Sequence, residues 1–249
     1  GTGGAVHSWH KIVESLYVEA DLILIDLPGH GFTKENNKSD YSLFELSKLL
    51  KKLLITLKIE SVDIVIGHSA GAAIAIELCI QSNDKRLTIK HIIGINPSLV
   101  PPPTTYNLIL NPWVSPLITS DGITSLMSLI TQNTFLLESL LASTGSKLDS
   151  EQKKLYRRVF SKNNHLRGAI KFMASTDLFE LLNRSKNFET NSTFILGIDD
   201  LWVKVGPLKK IINRHFPKSK IIENSGGHLM QEASPKIISN QIINISTGL

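Results

Sequence analysis

Residues 62–80 read VDIVIGHSAGAAIAIELCI, and this stretch decides the fold class. It begins as a short apolar run typical of a buried strand, passes through the pattern G-x-S-x-G around Ser69, and continues as an alanine-rich helix. A serine in this pattern, between a strand and a helix, lies on a sharp turn that raises its hydroxyl above the end of the strand. The Ala70 N–H at the helix start would then face the position of a tetrahedral oxyanion. Ser69 is therefore a candidate nucleophile, and Ala70 is a candidate oxyanion donor.

Alternating strands and helices flank this stretch. Short apolar runs predict further buried strands at residues 22–25, 92–95, 194–196 and 221–222. Apolar residues at helical spacing predict helices at residues 6–17, 42–57, 205–216 and 234–245, with Ser42 as the N-cap of the second. This alternation predicts an α/β protein with a doubly wound, mostly parallel sheet.

A helical block interrupts the alternation. Residues 101–187 contain several helical patterns and no clear strand, so we expect them to form a lid (cap) inserted into a core made of residues 1–100 and 188–249. A cap of this kind would cover the carboxyl edge of the sheet and enclose an apolar pocket near the serine. We expect the pocket to be lined by substrate-binding residues from both parts of the chain, namely Gly3, His68, Trp113, Phe172 and Leu229.

A serine hydroxyl needs a base to become a nucleophile near neutral pH, and in this type of fold an acid and then a histidine follow the serine along the chain. His228 is the candidate base, because it follows the last predicted strand and two glycines. The predicted strand at residues 194–196 runs into Asp199 and Asp200, and either carboxylate could orient the imidazole. Both could instead only shape a turn.

The chain opens with Gly1-Thr2-Gly3-Gly4, a glycine-rich segment in which the Thr2 N–H is the candidate second oxyanion donor. No strand precedes this segment in the sequence, and no methionine begins it. We therefore expect a fragment from which the N-terminal strands are missing.

The motifs GTGGAVHSW, DLPGHGFT, GHSAGAA, GIDDLWV and SGGHL together resemble the α/β-hydrolase superfamily across nearly the whole chain. The resemblance implies an α/β-hydrolase fold with a Ser–Asp–His triad, and its G-x-x-D pattern selects Asp200 over Asp199. Within the cap, LASTGSKLD, LYRR, HLRGA and MASTDL resemble the magnesium chelatase accessory proteins of bacteriochlorophyll biosynthesis. That resemblance implies a role beside the insertion of magnesium into protoporphyrin IX, with magnesium chelatase subunits as partners.

Composition excludes several other classes. The net charge is +5, but the basic residues are scattered, so we expect no nucleic-acid partner. No apolar run is long enough to span a bilayer, and Cys79 is the single cysteine, so we expect a cytoplasmic protein, at most peripheral to a membrane. The sequence has no zinc-type His/Cys cluster, no Walker loop and no dinucleotide fingerprint, and we expect neither a metal nor a cofactor.

The sequence therefore predicts a serine hydrolase, esterase-like in its chemistry. Its substrate would be a small apolar ester or similar carbonyl compound, and the cap resemblance extends this to porphyrin-like molecules. Two alternatives stay open at this point. One is a non-catalytic porphyrin-binding accessory protein for magnesium chelatase, and the other is a general carboxylesterase or C–C bond hydrolase.

Overall fold

The structure, a computed structural model, describes residues 1–35, 40–82, 86–100 and 134–249. Within these residues, strands β1 (Ser61–His68), β2 (Thr88–Ile95), β3 (Asn191–Gly197) and β4 (Lys220–Asn224) form one parallel sheet in the order β1-β2-β3-β4. All four carboxyl ends therefore lie at one edge, where ligands of open α/β sheets bind. The predicted parallel α/β architecture is confirmed.

Helices cover both faces of the sheet. In chain order, the helices of the sheet domain are α1 (His10–Leu16), α2 (Leu43–Thr56), α3 (Ala70–Gln81), α8 (Val205–His215), α9 (Met230–Ala233) and α10 (Pro235–Ser246). A 3₁₀ helix, Val6–Trp9, precedes α1. As predicted, the Ser42 side chain caps α2 by accepting a hydrogen bond from the Glu45 N–H at 3.3 Å.

Alternation along the strands builds two cores. On β3, Phe194 packs into the core shared with α2, α3 and α8, whereas Ile195 packs into the core shared with α1 and α10. On β2, Ile92 and Ile93 divide in the same way. Because both faces of the sheet are buried, these strands are almost continuously apolar, which is why the sequence showed them clearly.

Between β2 and β3 the described residues form helices α4 (Thr134–Ala142), α5 (Ser150–Phe160), α6 (Asn163–Ser175) and α7 (Leu178–Arg184), and a short 3₁₀ helix, Ser185–Asn187, follows them. Asp149 and Gln152 form a reciprocal capping box at the start of α5. Leu137, Leu141 and Tyr156 pack with Leu229, so these helices contact the loop that carries His228.

The predicted strand at residues 22–25 is wrong. The segment pairs with none of the described strands, and Ile23 and Leu24 are 50% and 40% exposed. A short apolar run satisfies the composition of a strand, but the ladder hydrogen bonds require a neighbouring strand, which the described residues do not provide here.

The structure also describes the single cysteine and the apolarity of the helices. Cys79 is a buried free thiol, and burial raises its pKa to about 12, so it behaves as a small hydrophobic side chain. In the part of the chain that the structure describes, no helix is both long enough and apolar enough to cross a membrane.

Candidate active site

The sharp turn between β1 and α3 sets the position of Ser69. Its φ is 52° and its ψ is −122°, a strained conformation for a residue with a side chain. A Cβ on Gly67 would lie 2.5 Å from the backbone of Ala72, so only glycine fits before the turn. The Ser69 N–H donates to the Ile95 carbonyl at 3.0 Å, which fixes the turn against the end of β2.

Three side chains that are distant in sequence meet at the carboxyl edge. Ser69 Oγ lies 3.0 Å from His228 Nε2, and His228 Nδ1 lies 2.7 Å from Asp200 Oδ2. All three residues are buried. Because the Asp200 carboxylate accepts from Nδ1–H, Nε2 is left with a lone pair that can accept the Ser69 hydroxyl proton.

The two adjacent acids have different surroundings. Asp200 Oδ1 accepts the N–H groups of Trp202 and Val203, both at 2.8 Å, which directs Oδ2 toward His228. Asp199 is exposed, and its Oδ2 accepts the Gly226 N–H at 3.0 Å. The carboxylate beside the imidazole is therefore that of Asp200, and Asp199 closes a turn.

Polar side chains hold the His228 loop, among them Asn96, for which the sequence predicted no role. Asn96, at the end of β2, donates from Nδ2 to the carbonyls of Gly227 and His228, each at 3.0 Å, and accepts the Gly197 N–H at 2.6 Å. His68 Nε2 also donates to the His228 carbonyl, at 2.8 Å. The sequence contained one indication of this role, because Asn96 is a polar residue that directly follows a predicted strand.

The turn between α4 and α5 contacts the same loop. The His228 N–H donates to the Thr144 carbonyl at 2.8 Å, and the Leu229 N–H donates to Ser146 Oγ at 2.8 Å. On the other side of the imidazole, the Trp202 ring lies 5.3 Å from the His228 ring, and its Nε1–H donates to Ser143 Oγ at 3.1 Å. Residues 143–146 therefore contact both the His228 loop and the Trp202 side chain, which follows Asp200 in the chain.

Both predicted oxyanion donors lie beside Ser69. Ala70 is the first residue of α3, so its N–H has no acceptor within the helix. The glycine-rich opening passes against the turn, since a Cβ on Gly1 would lie 2.9 Å from Ser69 Cβ. The Gly4 N–H donates to the Gly1 carbonyl at 3.0 Å, and this tight turn carries Thr2 along the wall of the cavity.

A narrow cavity opens above Ser69. Among the described residues it is lined by Gly1, Thr2, Gly3, Gly4, Ser8, His68, Ser69, Leu140, Leu141, Thr144, Tyr156, Phe160, Trp202, His228 and Leu229. Three of the predicted substrate-binding residues, Gly3, His68 and Leu229, are therefore at its wall. Trp113, which was also predicted to bind substrate, lies outside the described residues.

The expectation for Phe172 is corrected by the structure. Phe172 does not line the cavity; it is 1% exposed and belongs to the core between the sheet and α2, α3 and α8. The reason is the orientation of α6, which places the Phe172 ring on a buried face of the helix and packs it into this core.

Burial dominates the electrostatics around the cavity. It lowers the pKa of His68 well below the ordinary range, and the proximity of His228 lowers it further, so His68 is a neutral donor. Burial also raises the pKa of Glu232 to about 7. The Tyr156 hydroxyl donates to Glu232 Oε1 at 2.6 Å, and burial followed by this carboxylate raises the pKa of Tyr156 well above its usual value. The described ranges contain no group of three or more His, Cys, Asp or Glu residues that could hold a metal ion.

A serine at a strand-to-helix turn, beside an imidazole and a carboxylate at the edge of a parallel sheet, defines a class of protein. The chain belongs to the alpha/beta hydrolase fold family, whose sequence model matches residues 1–235. It is 27% identical over 257 aligned residues to the magnesium-chelatase 30 kDa subunit of Rhodobacter capsulatus, in an alignment that covers 100% of this chain and 85% of that protein.

Solved structures are similar in fold. An alpha/beta hydrolase fold protein from Burkholderia ambifaria superposes with a TM-score of 0.77 at 19% identity, covering 98% of this chain and 87% of that one. The enol-lactonase from Burkholderia xenovorans LB400 superposes with a TM-score of 0.74 at 15% identity, covering 99% and 88%. At these identities the similarity concerns the fold alone.

Proposed function

We propose that this protein is a serine hydrolase that cleaves a small apolar ester or a similar carbonyl compound. Ser69 is the nucleophile, His228 is the base and Asp200 is the orienting carboxylate. The observation that carries the proposal is the pair of short distances at His228, 3.0 Å from Nε2 to Ser69 Oγ and 2.7 Å from Nδ1 to Asp200 Oδ2. A protein that only binds its ligand has no need of this arrangement.

The reaction proceeds in two halves. Ser69 Oγ attacks the carbonyl carbon while His228 Nε2 takes its proton, and the Thr2 and Ala70 N–H groups donate to the oxyanion. His228 then returns the proton to the departing alcohol, which leaves an acyl-Ser69 ester. Water, deprotonated by His228, attacks that ester and releases the acid and the free serine. Asp200 keeps Nδ1 protonated and stabilises the imidazolium in both halves.

The walls of the cavity support an apolar substrate. Leu140, Leu141, Phe160 and Leu229 line it. Burial of an apolar acyl chain against such side chains contributes about 25 cal/mol for each Å² removed from water. These walls fit a carboxylic ester of modest size.

The experiment is labelling with a fluorophosphonate probe, which reacts with activated serines, combined with hydrolysis of p-nitrophenyl butyrate. We expect wild type and Ser246→Ala to be labelled, because Ser246 is exposed at the end of α10, and Ser69→Ala to be unlabelled and inactive. Labelling of folded Ser69→Ala, or no labelling of folded wild type, would overturn the proposal. A panel of esters and β-diketones tests whether C–O or C–C bonds are cleaved.

A second candidate function is that of a porphyrin-binding accessory protein for magnesium chelatase. It is favoured by the similarity to the magnesium-chelatase 30 kDa subunit, which extends over 100% of this chain. Titration with protoporphyrin IX tests it, and no binding at micromolar concentration would count against it. The Ser69→Ala protein can also be expressed in a strain that lacks the gene for the magnesium-chelatase 30 kDa subunit. Restored pigment synthesis there would show that the accessory role does not need the Ser69 hydroxyl.

A further inference from the structure

We propose that Ser8, Tyr156 and Glu232 form a second polar subsite in the wall of the cavity, which binds a hydroxyl group on the acyl part of the substrate. This inference rests on the proposed hydrolase function and specifies its substrate class. Ser8 and Tyr156 both line the cavity that contains Ser69, and Glu232 lies behind Tyr156. None of the three takes part in the reaction at Ser69.

The hydrogen-bond directions define what this subsite accepts. The Tyr156 O–H is committed to Glu232 Oε1 at 2.6 Å, so the phenolic oxygen keeps a lone pair that can accept a further proton. Ser8 Oγ lies 3.4 Å from the Tyr156 oxygen and also beside the Glu232 carboxylate. The contact with Tyr156 is long and weak, so a ligand hydroxyl can replace it as the acceptor of the Ser8 hydroxyl proton. A substrate hydroxyl can donate to Tyr156 and accept from Ser8, whereas a carbonyl or an N–H group satisfies only one of them.

The Tyr156 ring is held rigidly enough to recognise a ligand. The His7 ring meets it edge-on with centroids 4.7 Å apart, and the Phe160 ring lies 6.2 Å away on the cavity side. Burial lowers the pKa of His7 to about 4, so His7 is neutral near pH 7 and adds no charge beside the phenol. The position of the hydroxyl is therefore set before a substrate arrives.

Glu232 itself is costly for the fold. It is 2% exposed, and within the described residues its Oε2 has no hydrogen-bond partner. A buried carboxylate that is only half satisfied costs free energy, and burial raises its pKa to about 7. Such groups cluster at functional sites, and here the carboxylate orients the Tyr156 phenol at the cavity wall.

The test compares matched esters in wild type and variants. The substrates are p-nitrophenyl hexanoate and p-nitrophenyl hexanoates that carry one hydroxyl at carbon 3, 4, 5 or 6. We expect wild type to prefer one hydroxylated ester over the plain ester by about tenfold in kcat/KM, the size of one good hydrogen bond. Tyr156→Phe and Ser8→Ala should bring that ratio close to one, and Tyr17→Phe, at a 66% exposed tyrosine, should leave it as in wild type.

The ratio of kcat/KM between the hydroxylated and the plain ester distinguishes a role of Tyr156 in substrate recognition from a role in stability. If Tyr156 only supported the fold, Tyr156→Phe would lower both rates equally and the ratio would stay unchanged, which would overturn the inference. Equal wild-type rates on every ester would also overturn it. A second measurement needs no turnover: Ser69→Ala should bind the hexanamide that carries the preferred hydroxyl more tightly than plain hexanamide in calorimetry. Equal affinity there contradicts the subsite even if the protein is not a hydrolase.

Discussion

The side-chain amide of Asn96 donates a hydrogen bond to the carbonyl oxygen of His228 at 3.0 Å, across 132 residues of chain. The same amide holds the Gly227 carbonyl, and its oxygen accepts the Gly197 N–H on the next strand. Asn96 has a φ of 41°, an unusual value that directs its side chain under both loops. The His228 loop and the strand that leads to Asp200 are thus held by one residue at the end of β2.

We therefore expect Asn96→Asp to lower kcat for ester hydrolysis by about 10- to 100-fold with little change in KM. A carboxylate cannot donate to the two carbonyls, and each buried polar group left unsatisfied costs about 1–3 kcal/mol. Steady-state kinetics measure the effect. Asn224→Asp is the matched control, because the Asn224 side chain pairs with Gln241 on α10 instead of with the His228 loop. An unchanged kcat in folded Asn96→Asp would contradict the expectation.

The roles of Asp199 and Asp200 can be distinguished by replacing each residue with asparagine. Asp200→Asn should lower kcat by roughly 10³- to 10⁴-fold, because an amide beside Nδ1 stabilises the wrong imidazole tautomer. Asp199→Asn should leave kcat close to wild type, since its carboxylate contacts only the Gly226 N–H in the described structure. A larger loss for Asp199→Asn than for Asp200→Asn would reverse the assignment of the acid.

Removal of the Ser146 hydroxyl should weaken the His228 loop. Ser146→Ala leaves the buried Leu229 N–H without its 2.8 Å acceptor, and we expect a loss of about 1 kcal/mol in stability and a several-fold lower kcat. Urea unfolding and steady-state kinetics measure the two effects. Ser246→Ala, on the last helix, is the control. If kcat stays at the wild-type value while stability falls, the turn supports the fold only.

Acid should destabilise the protein between about pH 6.5 and pH 4, where its buried histidines bind protons only in the unfolded chain. Burial lowers the pKa of His7 and of His30 to about 4, whereas an unfolded histidine titrates near 6.5. Between these values the unfolded chain binds more protons, so the stability present above about pH 6.5 is lost as the pH falls toward 4. Each histidine should contribute about 2 kcal/mol between pH 7 and pH 5.

Other groups modify this trend without reversing it. The pKa values of His68 and His165 are also lowered, whereas the raised pKa of Glu232 acts in the opposite direction, since its folded form holds an extra proton. Urea unfolding at a series of pH values measures the slope. His30→Gln should make the decline less steep, and a decline as steep as in wild type would contradict the role of His30.

Local patterns in the sequence were sufficient for most of the elements. The β2 and β3 strands were visible because both faces of the sheet are buried, and Ser42 was visible as a cap because its partner, Glu45, is three residues away. The predicted strand at residues 22–25 was wrong because a strand needs a neighbouring strand to pair with. The apolar pattern of a segment does not show whether such a neighbour exists. The prediction for Phe172 was wrong because an apolar stripe on a helix shows only that one face of the helix is buried. It does not show which part of the protein that face packs against.

By itself, the sequence determined the fold class and the candidates Ser69 and His228, because a strand, a tight glycine turn and a helix are short-range features. Only the tertiary structure decided that Asp200 lies beside the imidazole, that Asn96 braces two loops, and that Tyr156 and Glu232 meet at the cavity wall. These contacts join residues far apart in the chain, and their geometry follows from packing, which no local pattern encodes.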